Sequence, residues 1–116
     1  MTATMPTMPV STELREDLRA RLERERAFRV EQIAELDVRL AEGLRRDSVT
    51  FALRLAAMTA LNETEAALVR MEVGTYGGCV HCGDAIALER LEVWPAAALC
   101  AGCHFNEENC RSRWGA

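Results

Sequence analysis

The chain has 116 residues, 49% of them hydrophobic but only 5% aromatic, and a formal net charge of −4. One modest core is all that this length sustains, so a further staple is expected. The acidic balance argues against affinity for bare nucleic acid, which comes mainly from neutralising phosphates with a basic face. All fourteen basic residues are arginine, which points to no function. The start MTATMPTMPV lacks the charged beginning and long apolar run of a secretory signal, and no apolar stretch approaches the ~20 residues needed to span a bilayer. A cytoplasmic protein without membrane contact is expected, and in that reducing compartment paired Cys-x-x-Cys motifs bind metal more often than they form disulfides.

Residues 1–10 hold two of the three prolines and several threonines, a composition with nothing for a core to grip, and a flexible N-terminal tail is expected there. Ser11 or Thr12 can cap a helix whose first turns carry Glu13, Glu16 and Asp17, well placed for the positive end of its dipole. Leu14, Leu18, Leu22, Val30, Ile33, Leu36, Leu40 and Leu44 recur at three- and four-residue steps, interrupted by the charged ERER at 23–26, and predict one amphipathic helix.

Gly43 and LRRDS break that pattern. A second helical run begins near Ser48 with Phe51, Leu55, Met58, Leu61, Leu68 and Val69 on one expected face; at roughly 24 residues it makes an arm of about 36 Å. Neither helix can bury its stripe alone, and a short connection makes consecutive helices antiparallel neighbours. The expectation is therefore an antiparallel coiled-coil hairpin over 11–74 with its tip near 43–52, loosely paired around Asn62 to Glu65, where the apolar seam is thin. At Gly74 the helical pattern stops, and GTYGG is a turn-rich lead into residues 75–116. The closing run HFNEENCRSRW suggests a short C-terminal helix packing Phe105 or Trp114 near the cysteines.

Those cysteines carry the chemistry. Cys79, Cys82, Cys100 and Cys103 form C-x2-C-x17-C-x2-C, inside the spacing of a four-cysteine zinc site. Gly83, directly after the first pair, allows a left-handed turn that points amides at sulfur. Four protein ligands leave no open position for a substrate water, so one structural Zn2+ is expected, which takes the net charge to about −6 because a zinc tetrathiolate contributes about −2. Four buried thiols without metal are the weaker alternative. His81 and His104 each neighbour a ligand, but the four thiolates already complete a tetrahedron, and both are read as surface residues. Cys110 is read as a half-buried contact on the last helix.

The string GTYGGCVHCGDAI, followed by RLEVWPAAALC and AGC, resembles the zinc-finger signature of the DksA/TraR family, including Arg90, Leu91 and Pro95 between the cysteine pairs. The match covers residues 74–103. The resemblance implies a mainly α fold: a coiled-coil arm projecting from a small four-cysteine zinc-finger base that a short C-terminal helix completes. It also implies a partner, bacterial RNA polymerase, whose secondary channel receives the arm, and regulation of initiation together with the alarmone ppGpp in the stringent response. Activity in the family depends on a tip pattern Asp-x-x-Asp-x-Ala. Here the segment is Asp47-Ser48-Val49-Thr50-Phe51-Ala52: Asp47 and Ala52 match, and Thr50 stands where the second acid would be. An aspartate just before a helix is also an ordinary N-cap. The arm is several turns shorter than in the longest family members, and Arg70 is the only basic residue between Arg54 and the cysteines, little positive charge to receive ppGpp.

Three function classes follow. The leading one is a monomeric, non-enzymatic regulator of RNA polymerase without sequence-specific DNA binding. The second is a zinc-ribbon module that docks proteins or nucleic acid without entering the channel. The third, a small enzyme, finds no nucleophile with a base, no open metal site and no glycine-rich phosphate loop.

Overall fold

The computed structural model describes residues 11–43 and 48–105. Helix α1 spans Thr12–Ala41 and α2 spans Ser48–Val73. The Ser11 hydroxyl accepts from the Leu14 amide at 3.2 Å and caps α1, and Glu13 sits in the first turn beside the exposed amides. Gly43, at φ 59°, ends the run.

The two helices pack side by side in opposite directions. Arg26 pairs with Glu65 at 3.0 Å, and Arg54 pairs with Asp37. Moving eleven residues toward the tip on α1 thus meets eleven residues back along α2, as an antiparallel pair requires. No helix among the described residues is long and apolar enough to cross a membrane.

The seam differs from the expected one. On α2 the buried residues are Thr50, Ala57, Thr64, Ala67 and Met71, a heptad row of mostly small side chains. Phe51 (53% exposed), Leu55 (50%) and Val69 (59%) face solvent instead. In the middle of the pair the small residues have a reason on α1. Between buried Leu22 and buried Leu36 its half-buried positions are Glu25, Arg29, Gln32 and Ile33; Arg29 donates to Glu25 at 2.6 Å and to Gln32 at 2.8 Å. Long polar side chains in the middle of a helical pair need small residues opposite, and Ala60 and Thr64 line the same cavity as Arg29, of about 440 Å³. Thr64 satisfies its own hydroxyl on the Ala60 carbonyl at 2.8 Å. Val30, expected in the α1 stripe, is likewise exposed.

Beyond α2 come two short helices, α3 over Leu88–Val93 and α4 over Ala101–Phe105. Among the described residues there is no strand, only an isolated bridge between Gly78 and Ala85. The main core sits at this end. It joins Leu18 and Leu22 of α1 and Ala67 and Met71 of α2 to Tyr76, Ile86, Leu91, Ala96, Ala97 and three of the cysteines. The core therefore runs across the expected boundary at 74/75, and arm and base share one hydrophobic cluster. Phe105, expected to pack near the cysteines, is 78% exposed; Asp47, Cys110 and Trp114 lie outside the described residues.

Candidate metal centre

Two turns and one extended segment build the centre. Helix α2 ends where Gly74 adopts φ 88°, a conformation costly for any residue with a Cβ. The Arg70 carbonyl there receives the amides of Gly74, Thr75 and Tyr76 at 2.9 to 3.1 Å. The chain reverses and is pinned by Ile86 N–H to the Gly77 carbonyl and Cys79 N–H to the Asp84 carbonyl, both at 2.8 Å. Between these pins lies the first knuckle. Gly83, at φ 81°, donates to the Cys79 carbonyl at 2.9 Å, and the His81 amide reaches the Cys79 sulfur at 3.4 Å. The left-handed glycine expected from sequence is in place, closing the turn within which the His81 amide meets the Cys79 sulfur.

The second knuckle repeats this device at the start of α4, where the Cys103 amide reaches the Cys100 sulfur at 3.4 Å. Val80 N–H to the Ala98 carbonyl, 2.9 Å, ties the two knuckles together. All four sulfurs of Cys79, Cys82, Cys100 and Cys103 lie within 4.8 Å of one another. The Cys82 and Cys100 sulfurs are 3.8 Å apart. Zinc–sulfur bonds of about 2.3 Å in a tetrahedron put sulfurs about 3.8 Å apart, so the donor set fits one tetrahedral ion. Cys100 alone among the four is half-buried; the others are buried.

Local fields divide the thiols. Burial opposes ionisation of Cys79, but backbone N–H groups of Cys82, Cys100 and His81 outweigh it and hold its pKa down at about 7. Burial pushes Cys82 up to about 11, against a backbone hydrogen bond at Asp84, and the neighbouring thiols of Cys100 and Cys79 add to the rise. A bound cation removes this asymmetry, because it stabilises every coordinating thiolate at once.

Thr50 and Ala52, the described residues of the expected tip, lie at the start of α2, at the opposite end of that helix from this centre. Thr50 is buried in the first turn of α2, at 3% exposure, and Ala52 is exposed. Neither histidine belongs to the sulfur cluster; the His104 ring packs edge-on against Trp94 and Phe105, with centroids 5.7 and 4.8 Å away. The supporting roles of three residues went unrecognised in the sequence. Tyr76, 1% exposed, donates to the Pro95 carbonyl at 2.8 Å, and burial raises its pKa to about 12. Arg70 and Arg90 donate to the carbonyls of Ala97 and Leu99. The available signal was Arg90 between the cysteine pairs and the tyrosine of GTYGG, residues whose type is apparent in sequence but whose target is not.

Residues 74–109 match the prokaryotic dksA/traR C4-type zinc finger family. The fold is similar to the solved structure of transcription factor DksA2 from Pseudomonas aeruginosa, with a TM-score of 0.69 and 25% sequence identity over 84% of each chain. No curated protein matches the chain.

Proposed function

We propose that this chain, whose residues 74–109 match the dksA/traR zinc finger and whose fold is similar to that of DksA2, is a non-enzymatic cytoplasmic transcription regulator of the DksA/TraR family that binds bacterial RNA polymerase and inserts its helical arm into the secondary channel. The observation that carries the reading is the shared core: a DksA/TraR-type zinc base is fused through Leu18, Leu22, Ala67 and Met71 to a pair of long helices. With 30 residues, α1 extends about 45 Å at 1.5 Å per residue. The far half of the arm supports docking as well. Val49, Phe51, Leu53 and Leu55 are all exposed there, and Arg54 is the one charged residue between Ser48 and Asn62. The four apolar residues flank the buried row on both sides of the helix, and large apolar side chains left in solvent suit contact with another protein.

In this reading the four cysteines hold Zn2+ as a structural ion that fixes the base, while Asp47 and the first turn of α2 act at the polymerase. Thr50 brings no carboxylate and its side chain is turned into the helical pair. Regulation by this tip therefore rests on Asp47. A ppGpp response would have to draw on arginines near the base, and Arg70 is already engaged with the Ala97 carbonyl.

The test is competition on purified polymerase. A cleavage factor that uses the secondary channel should be displaced by this chain, while promoter DNA alone should bind it only feebly at physiological salt. Both factors on one polymerase in native mass spectrometry would exclude the channel. The base would then stand as a protein-docking module, a reading that exposed Val80, Val93 and Phe105 favour.

A further inference from the structure

The segment leading into the second knuckle is held by side chains from elsewhere in the molecule. The Pro95, Ala97 and Leu99 carbonyls accept in turn from Tyr76 at 2.8 Å, Arg70 at 3.4 Å and Arg90 at 3.1 Å. The Ala98 carbonyl between them accepts from the Val80 amide of the first knuckle. The last of these side-chain bonds matters most, because the Leu99 carbonyl belongs to the same peptide unit as the Cys100 nitrogen. Cys100 is the least buried ligand, so packing alone constrains it least.

Both arginines sit there at a cost. Arg70 Nε and Arg90 Nη2 are buried with no hydrogen-bond partner, and neither guanidinium meets a carboxylate among the described residues. Each side chain is only half-buried, but withdrawing part of a guanidinium from water is costly, and backbone carbonyls return only part of the lost hydration. A zinc tetrathiolate, carrying about −2, adds a concentrated anion to this end of the molecule. Arg90 also lies over the Trp94 ring at 5.3 Å, which holds its guanidinium plane in place.

We infer that Arg70 and Arg90 are positioning residues of the metal centre: they hold the 95–99 segment so that Cys100 completes the tetrahedron, and their charges offset that of the tetrathiolate. The inference does not depend on the polymerase reading. It ties the base of α2 to the metal, since Arg70 belongs to α2 and reaches across to the loop that carries the third ligand.

The experiment is zinc transfer from the full, zinc-loaded chain to a chromophoric chelator, with the cobalt-substituted protein followed by its thiolate absorption. Arg90→Met should release zinc about 10-fold faster or more, the range in which removing a supporting residue outside the ligand set weakens a metal site. Arg70→Met should have a smaller effect, in keeping with its longer hydrogen bond. Arg90→Lys should fall between wild type and Arg90→Met, because it keeps the charge and loses the guanidinium fork. Arg26→Met, on the arm, serves as the reference and should release at the wild-type rate. Should Arg90→Met lose its helical signal, Arg90→Lys and Arg70→Met decide the matter on the same criterion. Wild-type release rates in the arginine variants, or equally fast release from Arg90→Lys and Arg90→Met, would overturn the inference; a wild-type chain that binds no zinc would overturn it together with the metal site.

Discussion

The base and the far half of the arm are built from the same helix-forming alphabet and held together in opposite ways. At the base, Leu18, Leu22, Met71, Tyr76, Ile86 and Leu91 are nearly or fully inaccessible and pack with the cysteines. Toward the tip, Leu36, Ala57 and Thr50 are the buried residues, and the arm leans on exposed ion pairs and a polar middle layer. On the proposed reading, a surface kept for a partner is not spent on internal packing. The base accordingly concentrates apolar burial and a metal, while the arm leaves Val49, Phe51, Leu53 and Leu55 outside.

Metal removal should break this contrast most visibly. Binding of a structural zinc ion contributes about 10–16 kcal/mol in small domains. Chelation, or Cys100→Ser, should therefore abolish the near-ultraviolet signal of buried Tyr76 while part of the far-ultraviolet helical signal persists. A stoichiometry near zero in the wild type, or full zinc retention in Cys100→Ser, would remove the base's distinguishing feature.

Next in size is the shared core. Leu18→Ala should cost about 2–5 kcal/mol in denaturant unfolding, because the site is fully buried and a cavity remains. Phe51→Ala should change stability by less than about 0.5 kcal/mol, as expected of a surface side chain, yet weaken polymerase binding in a pull-down. Equal destabilisation by the two would show that the arm is packed as tightly as the base.

The tip sharpens the comparison further. Thr50→Asp places a carboxylate at a buried position in the first turn of α2. Desolvating a carboxylate costs more than the ~1–3 kcal/mol of a neutral polar group, and the positive end of the helix dipole returns less than about 1 kcal/mol. The variant should melt at a lower temperature than wild type. If it does not, the side chain has turned outward, and its regulation of a model promoter should then exceed that of wild type. Asp47→Asn should lower that regulation more than it lowers polymerase affinity, since one tip charge is a small part of an interface that includes the base.

The smallest effect belongs to the exposed pair Arg26–Glu65, with side chains 51% and 42% exposed. Arg26→Met should cost no more than about 1 kcal/mol, and added salt should erase the difference. A larger, salt-resistant loss would mean that the arm's charges do more than set the register of its helices.

The helices and the four sulfurs were legible without coordinates because their signals are local. A helix start needs only Ser11 within three residues of the amide it caps, and a Cys-x-x-Cys turn closes on one ion through its own backbone. Which side of α2 faces α1 was not legible. Phe51, Leu55 and Val69 are more apolar than Thr50, Ala57 and Thr64, and periodicity alone favours the larger residues. In the middle of the pair α1 favours that side, because half-buried Glu25, Arg29 and Gln32 need small neighbours such as Ala60 and Thr64, a constraint separated by tens of residues in sequence. The targets of Tyr76, Arg70 and Arg90 were hidden for the same reason. Their types are visible in the chain, but a hydrogen bond to the carbonyl of residue 95, 97 or 99 exists only once α2, the first knuckle and the returning loop have been brought together. Local spacing determines which groups can bind a metal; the tertiary fold decides which distant side chains hold them in place.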